Sequence, residues 1–158
     1  KLRIGDETGD VLDVSGHTVG HLAFHFPASK LAFTADSLMA MGCGRLFEGA
    51  PPLMWQSLSK LAALPADTVI CSGHEYTQSN AKFALTIDTD NPALHARVAH
   101  INDARAKGQP TVPSFLSDEL ATNPFLRAAD ASVKQGLGMA GASDAEAFAE
   151  IRKRKDNF

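Results

Sequence analysis

The sequence lacks the features that would place it in several large protein classes. It has only two cysteines, Cys43 and Cys71, too few for the disulfide framework of a small secreted domain. Reduced thiols and a cytoplasmic setting are therefore expected. No stretch approaches the roughly 18 consecutive apolar residues of a membrane-spanning helix. The first residues also lack the basic-then-apolar pattern of a secretory signal, so no membrane partner is expected. Excess positive charge is missing too: 15 Lys and Arg stand against 18 Asp and Glu, a net charge of -3. This excludes the broad basic field that nucleic-acid binding uses. Internal repeats and low-complexity segments are absent. No initiating methionine is present, and Leu2-Arg3-Ile4 begins at once in strand-like alternation. A piece of a longer, monomeric protein is the expectation.

What is present is ordinary globular material, 44% apolar and 21% charged, enough to bury a core. Val11 to Val14 forms a short β-prone run, and Leu22, Phe24 and Phe26 alternate with Ala23 and His25. Leu31 to Thr34 predicts a third strand ending at Asp36, and Thr68 to Cys71 a fourth. Between the last two, Leu53, Met54, Leu58, Leu61 and Leu64 recur at helical spacing behind Pro51 and Pro52, which suit a helix start. Trp55 falls on the same core-facing stripe. Beyond Tyr76 the pattern turns helical, over Ser79 to Ile87, Asn91 to Lys107, and Ser143 to about Lys155. Ser143 and Glu146 make a capping box. The stretch containing Pro110, Pro113 and Pro124 reads as irregular. A boundary near Tyr76 to Asn80 divides the chain into residues 1–78 and 79–158.

Three strand ends carry chemistry. Gly16-His17-Thr18-Val19-Gly20-His21 lies between two strands, Phe33-Thr34-Ala35-Asp36 closes a third, and Cys71-Ser72-Gly73-His74 closes a fourth. Loops at one sheet edge can converge, and imidazole with carboxylate is the donor set that zinc or iron accepts. Each residue alone is ordinary: a His after a strand is commonly a hydrogen-bonded structural residue, and an Asp there a turn or cap. Their joint order is the specific signal. His25, His95 and His100 carry no partner motif and read as structural or surface residues. Cys43 has no neighbouring His or Asp to activate it and reads as packing. The run Arg152-Lys153-Arg154-Lys155 suits the negative end of a helix.

With GHTVGH, FTADSL, GCGRLFEG and SGHEYT in this order, followed by a helical tail ending IRKRKDNF, the sequence resembles glyoxalase II of the metallo-β-lactamase superfamily over essentially its whole length. The resemblance implies an α+β fold, the second half of an αββα sandwich followed by a helical substrate-binding domain. It implies hydrolysis of S-D-lactoylglutathione, a small-molecule glutathione thioester, at two divalent metal ions, zinc with iron or manganese as alternatives. His17 would then serve the first metal, Asp36 would bridge both as the catalytic carboxylate, and His74 would serve the second, with His21 structural. Arg45, Phe47, Tyr76, Arg152 and Lys155 fall on the family's substrate-binding positions, the two terminal cations holding the glycine carboxylate of glutathione. Phe47 departs from the tyrosine of some members, which removes one hydroxyl contact. The family's THxHxDH motif is absent, and no HxH occurs in the chain, so about half of a dinuclear site is expected here. Two other readings are a glutathione persulfide dioxygenase on the same fold, whose branch lacks the basic helical tail, and a non-catalytic binding fragment.

Overall fold

The computed structural model describes all of residues 1–158. Strands β1 (Leu2–Ile4), β2 (Glu7–Asp13), β3 (Leu22–Phe26), β4 (Leu31–Ala35), β5 (Val69–Ser72) and β6 (Ser114–Phe115) form one sheet in sequence order. Every neighbouring pair is antiparallel except β4 and β5. A parallel pair needs a crossover, and helix α1 (Pro51–Ala62) supplies it. Then come α2 (Thr77–Ile87), α3 (Pro92–Ala106), α4 (Leu116–Thr122), α5 (Ala131–Gly136) and α6 (Asp144–Asp156).

The helix boundaries follow local chemistry. Pro51 and Pro52 occupy the first turn of α1, where no intrahelical N–H is needed. The Asn91 side chain accepts from the backbone N–H groups of Ala93 and Leu94, at 3.0 and 3.3 Å, to start α3. The capping box of α6 forms as the sequence predicts, with Ser143 and Glu146 satisfying each other's backbone N–H. The proline-containing segment is more ordered than expected. It holds β6, α4 and α5, elements too short to show a period.

The sheet presents two apolar faces. Leu12, Ala23, Ala32 and Ile70 face a core completed by Met54, Leu58 and Leu61 of α1, Phe83 of α2, and Phe148 and Ile151 of α6. Residues from both sides of position 78 share this one core, and β6 adds to the edge of β5. On the opposite face Val11, Phe24, Phe33 and Cys71 lie in register as one row across four strands. Val11 and Phe33 are exposed and the other two half-buried. Leu53, expected on the helix stripe, also stays exposed, because α1 turns only Met54, Ser57, Leu58 and Leu61 fully inward.

Phe148 is fully buried, 6.1 Å from the Trp55 ring and 6.0 Å from Phe125. Phe148→Ala should cost about 3–5 kcal/mol. Urea unfolding followed through the fluorescence of Trp55 would read this as a lowered midpoint, and an unchanged midpoint would contradict the packing.

Candidate metal and substrate site

The strand ends meet in a cavity of about 440 Å³. Asp36 follows β4 at its floor, His17 comes from the loop between β2 and β3, and His74 follows β5. The His17 Nε2 lies 3.5 Å from Asp36 Oδ2, and the His74 Nε2 lies 3.2 Å from Asp36 Oδ1. Each imidazole thus faces a different oxygen of one carboxylate.

The orientation of the His17 ring is set by its other nitrogen. Nδ1 lies 2.7 Å from the carbonyl oxygen of Arg45. A carbonyl can only accept, so Nδ1 carries a proton, and in the neutral imidazole this leaves Nε2, on the Asp36 side, as the nitrogen able to bind a metal. Close approach is required here. A Cβ on Gly44 would stand 2.8 Å from His17 Nδ1 and would overlap the Asp36 carbonyl, to which the Gly44 N–H donates at 2.8 Å. Ala35, just before Asp36, has φ +45°, a left-handed conformation uncommon for a residue with a side chain. His74 stacks on Tyr76 with ring centroids 4.6 Å apart and planes 4° from parallel.

The donor set fits a divalent metal in part. Two ligands on one tetrahedral zinc at about 2.0–2.2 Å sit roughly 3.3–3.5 Å from each other, close to both His–Asp separations. One carboxylate with a histidine on each oxygen therefore suits two ions better than one. The set is nevertheless incomplete, since no group of three or more His, Cys, Asp or Glu side chains forms a metal cage in this chain.

The residues expected on the substrate side line the same cavity. Arg45, Phe47, Tyr76, Arg152 and Lys155 all border it, although Arg152 and Lys155 lie more than 100 positions from Arg45 in sequence. Their situations differ. Arg152 is nearly buried and already engaged, with Nη1 donating to the Cys43 carbonyl at 2.9 Å and Nε and Nη2 reaching Asp156 at 3.0 and 2.8 Å. Its guanidinium also lies 5.0 Å from the centre of the Phe125 ring. Arg45 and Lys155 enter none of the protein's ion pairs. Burial, then the nearby Arg152 and Arg45 charges, hold the Lys155 ammonium below its ordinary pKa of 10.5. An anion in the cavity would relieve that repulsion.

His21 stays outside the cavity, with Nδ1 3.3 Å from Thr18 Oγ1. Ser79 and Asn80, which sequence reading passed over as the start of a helix, line the cavity wall.

Comparison with known proteins gives the family. Residues 75–158 match the family model described as hydroxyacylglutathione hydrolase C-terminus, and residues 3–74 match the metallo-beta-lactamase superfamily. The chain belongs to the hydroxyacylglutathione hydrolase family. Two relatives named hydroxyacylglutathione hydrolase, from Cereibacter sphaeroides and Ruegeria pomeroyi, are 70% and 68% identical over the whole chain. The chain spans 62% of the length of each. Among solved structures, ETHE1 from Myxococcus xanthus aligns with 99% of this chain and 52% of its own, at 22% identity and TM-score 0.56. The BLEG-1 B3 metallo-beta-lactamase aligns with 79% of this chain and 44% of its own, at 23% identity and TM-score 0.53. These two likenesses concern the fold: the chain has the second half of a metallo-β-lactamase sandwich and the helical C-terminal region of the hydroxyacylglutathione hydrolases. The superfamily is one of divalent-metal proteins.

The cysteines separate cleanly. Burial pushes the Cys43 thiol up to about 12, and burial raises Cys71 as well, though Cys71 keeps partial exposure. Since the thiolate is the reactive form, iodoacetamide at pH 8 should label Cys71 slowly and Cys43 not at all in the folded chain. Both should react after denaturation, with peptide mass spectrometry locating the label. Rapid native labelling of Cys43 would show that the cavity wall opens.

Proposed function

We propose that these residues form the substrate side and part of the metal centre of a hydroxyacylglutathione hydrolase, a thioesterase that cleaves S-D-lactoylglutathione to D-lactate and glutathione. The observation that carries the reading is the Asp36 carboxylate, faced on its two oxygens by two different imidazoles, in a cavity that also holds two cations without carboxylate partners. His17 would hold one divalent ion and His74 the other, with Asp36 between them; zinc suits the donors, and iron or manganese would also be accepted. Bound there, the ions would supply Lewis acidity at the thioester carbonyl and a water acidic enough to react at neutral pH.

The chain's own residues account for the rest. The Arg45 carbonyl keeps His17 in the tautomer that leaves Nε2 free. Lys155 and Arg45 offer charge-assisted contacts to the carboxylates of glutathione. Arg152 adds to that positive field while its own donors stay with Asp156 and Cys43. Tyr76 is held by its stack on His74 and presents a phenol to the tripeptide. Phe47, 5.1 Å from the His17 ring, gives an apolar wall without a hydroxyl. In this reading residues 79–158 act as the substrate-binding domain, and a glutathione substrate with two free thiols in the chain suits the cytoplasm. The persulfide dioxygenase alternative would use the same cations for the same glutathione carboxylates, and the match of residues 75–158 to the hydroxyacylglutathione hydrolase C-terminus is what favours the thioesterase reading over it.

Two outcomes test the proposal in the full-length protein. Asp36→Asn should abolish lactoylglutathione hydrolysis and lower bound zinc; retained turnover would remove Asp36 from the centre. Lys155→Ala should raise KM for the thioester about ten- to hundredfold with kcat nearly unchanged, because a carboxylate far from the reacting carbon is held equally in ground and transition states. The pH dependence follows the same contact. Lys155 binds an anion only while protonated and its pKa lies below 10.5, so KM should begin to rise at a lower alkaline pH than an ordinary lysine would give. That rise should vanish in Lys155→Ala.

A further inference from the structure

The backbone between Asp36 and Arg45 is held by side chains of the helical region. Asn123, fully buried after α4, donates its Nδ2 to the carbonyls of Met39 at 3.2 Å and Gly42 at 3.1 Å. Asn80 of α2 donates to the Ala40 carbonyl at 3.1 Å. The Met41 N–H donates to Glu119 of α4 at 2.8 Å, and Arg152 of α6 caps the Cys43 carbonyl. Asn123 Nδ2 also lies 3.1 Å from the Glu119 carboxylate, so these two side chains brace each other.

Met39 and Gly42 exchange both backbone hydrogen bonds, at 3.0 Å each, and Met41 sits at φ +61°. A left-handed methionine costs free energy, and it persists where its surroundings over-determine it. Here the surroundings are the Glu119 and Asn123 contacts. The next two residues then act on the site: the Gly44 N–H holds the Asp36 carbonyl and the Arg45 carbonyl holds His17 Nδ1.

We propose that Asn123, braced by Glu119, is a positioning residue for the metal centre, acting on His17 and Asp36 through the backbone of the Met39–Gly44 turn. Asn123 touches neither ligand. It places the two backbone groups that orient them, so that the helical region, besides meeting substrate, sets the geometry of the strand-end ligands. This rests on the reading of His17 and Asp36 as metal ligands.

The test uses 15N-labelled full-length protein, wild type and Asn123→Ala, without metal and then titrated with zinc. In metal-free wild type, the His17 ring should show the Nδ1–H tautomer with a slowly exchanging N–H. In Asn123→Ala that signal should broaden or shift toward the mixed tautomers of a free imidazole, and zinc affinity should fall by about tenfold, the lower end of what losing a direct outer partner of a ligand costs, because Asn123 acts one step further out. Phe148→Ala serves as the destabilised control, expected to unfold earlier while keeping the wild-type His17 signal. Should Asn123→Ala fail to fold, Asn80→Ala removes a single tie and should move the same signal the same way by less. A folded variant with the wild-type His17 tautomer and zinc affinity would overturn the proposal. Zinc that binds wild type without perturbing the His17 and His74 rings would instead refute the ligand assignment, while the metal-free comparison still judges the clamp.

Discussion

Glu119 has no contact with water, and its charge is tolerable only because donors surround it. Arg97 pairs with one carboxylate oxygen, which also accepts from Ser114, while the Met41 N–H and the Asn123 amide share the other. An uncompensated carboxylate at such a position would cost several kcal/mol or take up a proton. The partners come from α3, from β6, from the end of α4 and from the turn after β4. Satisfying one buried charge therefore fixes helix to helix and the helical region to the strand ends.

From that fixed point the rest of the site follows with little freedom. The turn held over Glu119 delivers Gly44 and Arg45 to Asp36 and His17, and it brings Cys43 under Arg152. The cavity consequently has a hydrogen-bonded wall on the helical side and the strand-end residues His17, Asp36 and His74 on the other, with Arg45 and Lys155 also in its lining. Contacts supported by buried hydrogen bonds would suit the proposed centre, which would have to hold ions at fixed separations.

The sequence discloses some of this plainly and conceals the rest for physical reasons. Strand alternation at Leu22–Phe26, the proline-led α1 and the Ser143–Glu146 capping box all depend on neighbours a few residues away, so they are readable locally. His17, Asp36 and His74 are readable as a set because each closes a strand of the same sheet. Glu119, Asn123 and Asn80 offer no such signal, since their meaning lies in carbonyls at Met39, Ala40 and Gly42 that are distant in sequence. The engagement of Arg152 is hidden similarly: its motif position points to substrate, while its neighbours Asp156 and Cys43 occupy most of its donors. The elements β6, α4 and α5 escaped because two to seven residues cannot display a period.

The row Val11, Phe24, Phe33 and Cys71 has a consequence for how this sequence can change over time. In a sheet with one wet face, every second residue is free to drift among polar types, and strands accumulate charge at that parity. Here Leu22, Phe24 and Phe26 of β3 point one way and Ala23 and His25 the other, and neither layer has accumulated Asp, Glu, Lys or Arg side chains on this strand, although Leu22 and the neighbouring Val11 and Phe33 are exposed. Neither parity is neutral ground. Substitutions that persist should therefore collect in the hairpin at Pro27–Lys30 and on the exposed flank of α3, while the central strands exchange one hydrophobic side chain for another of similar volume.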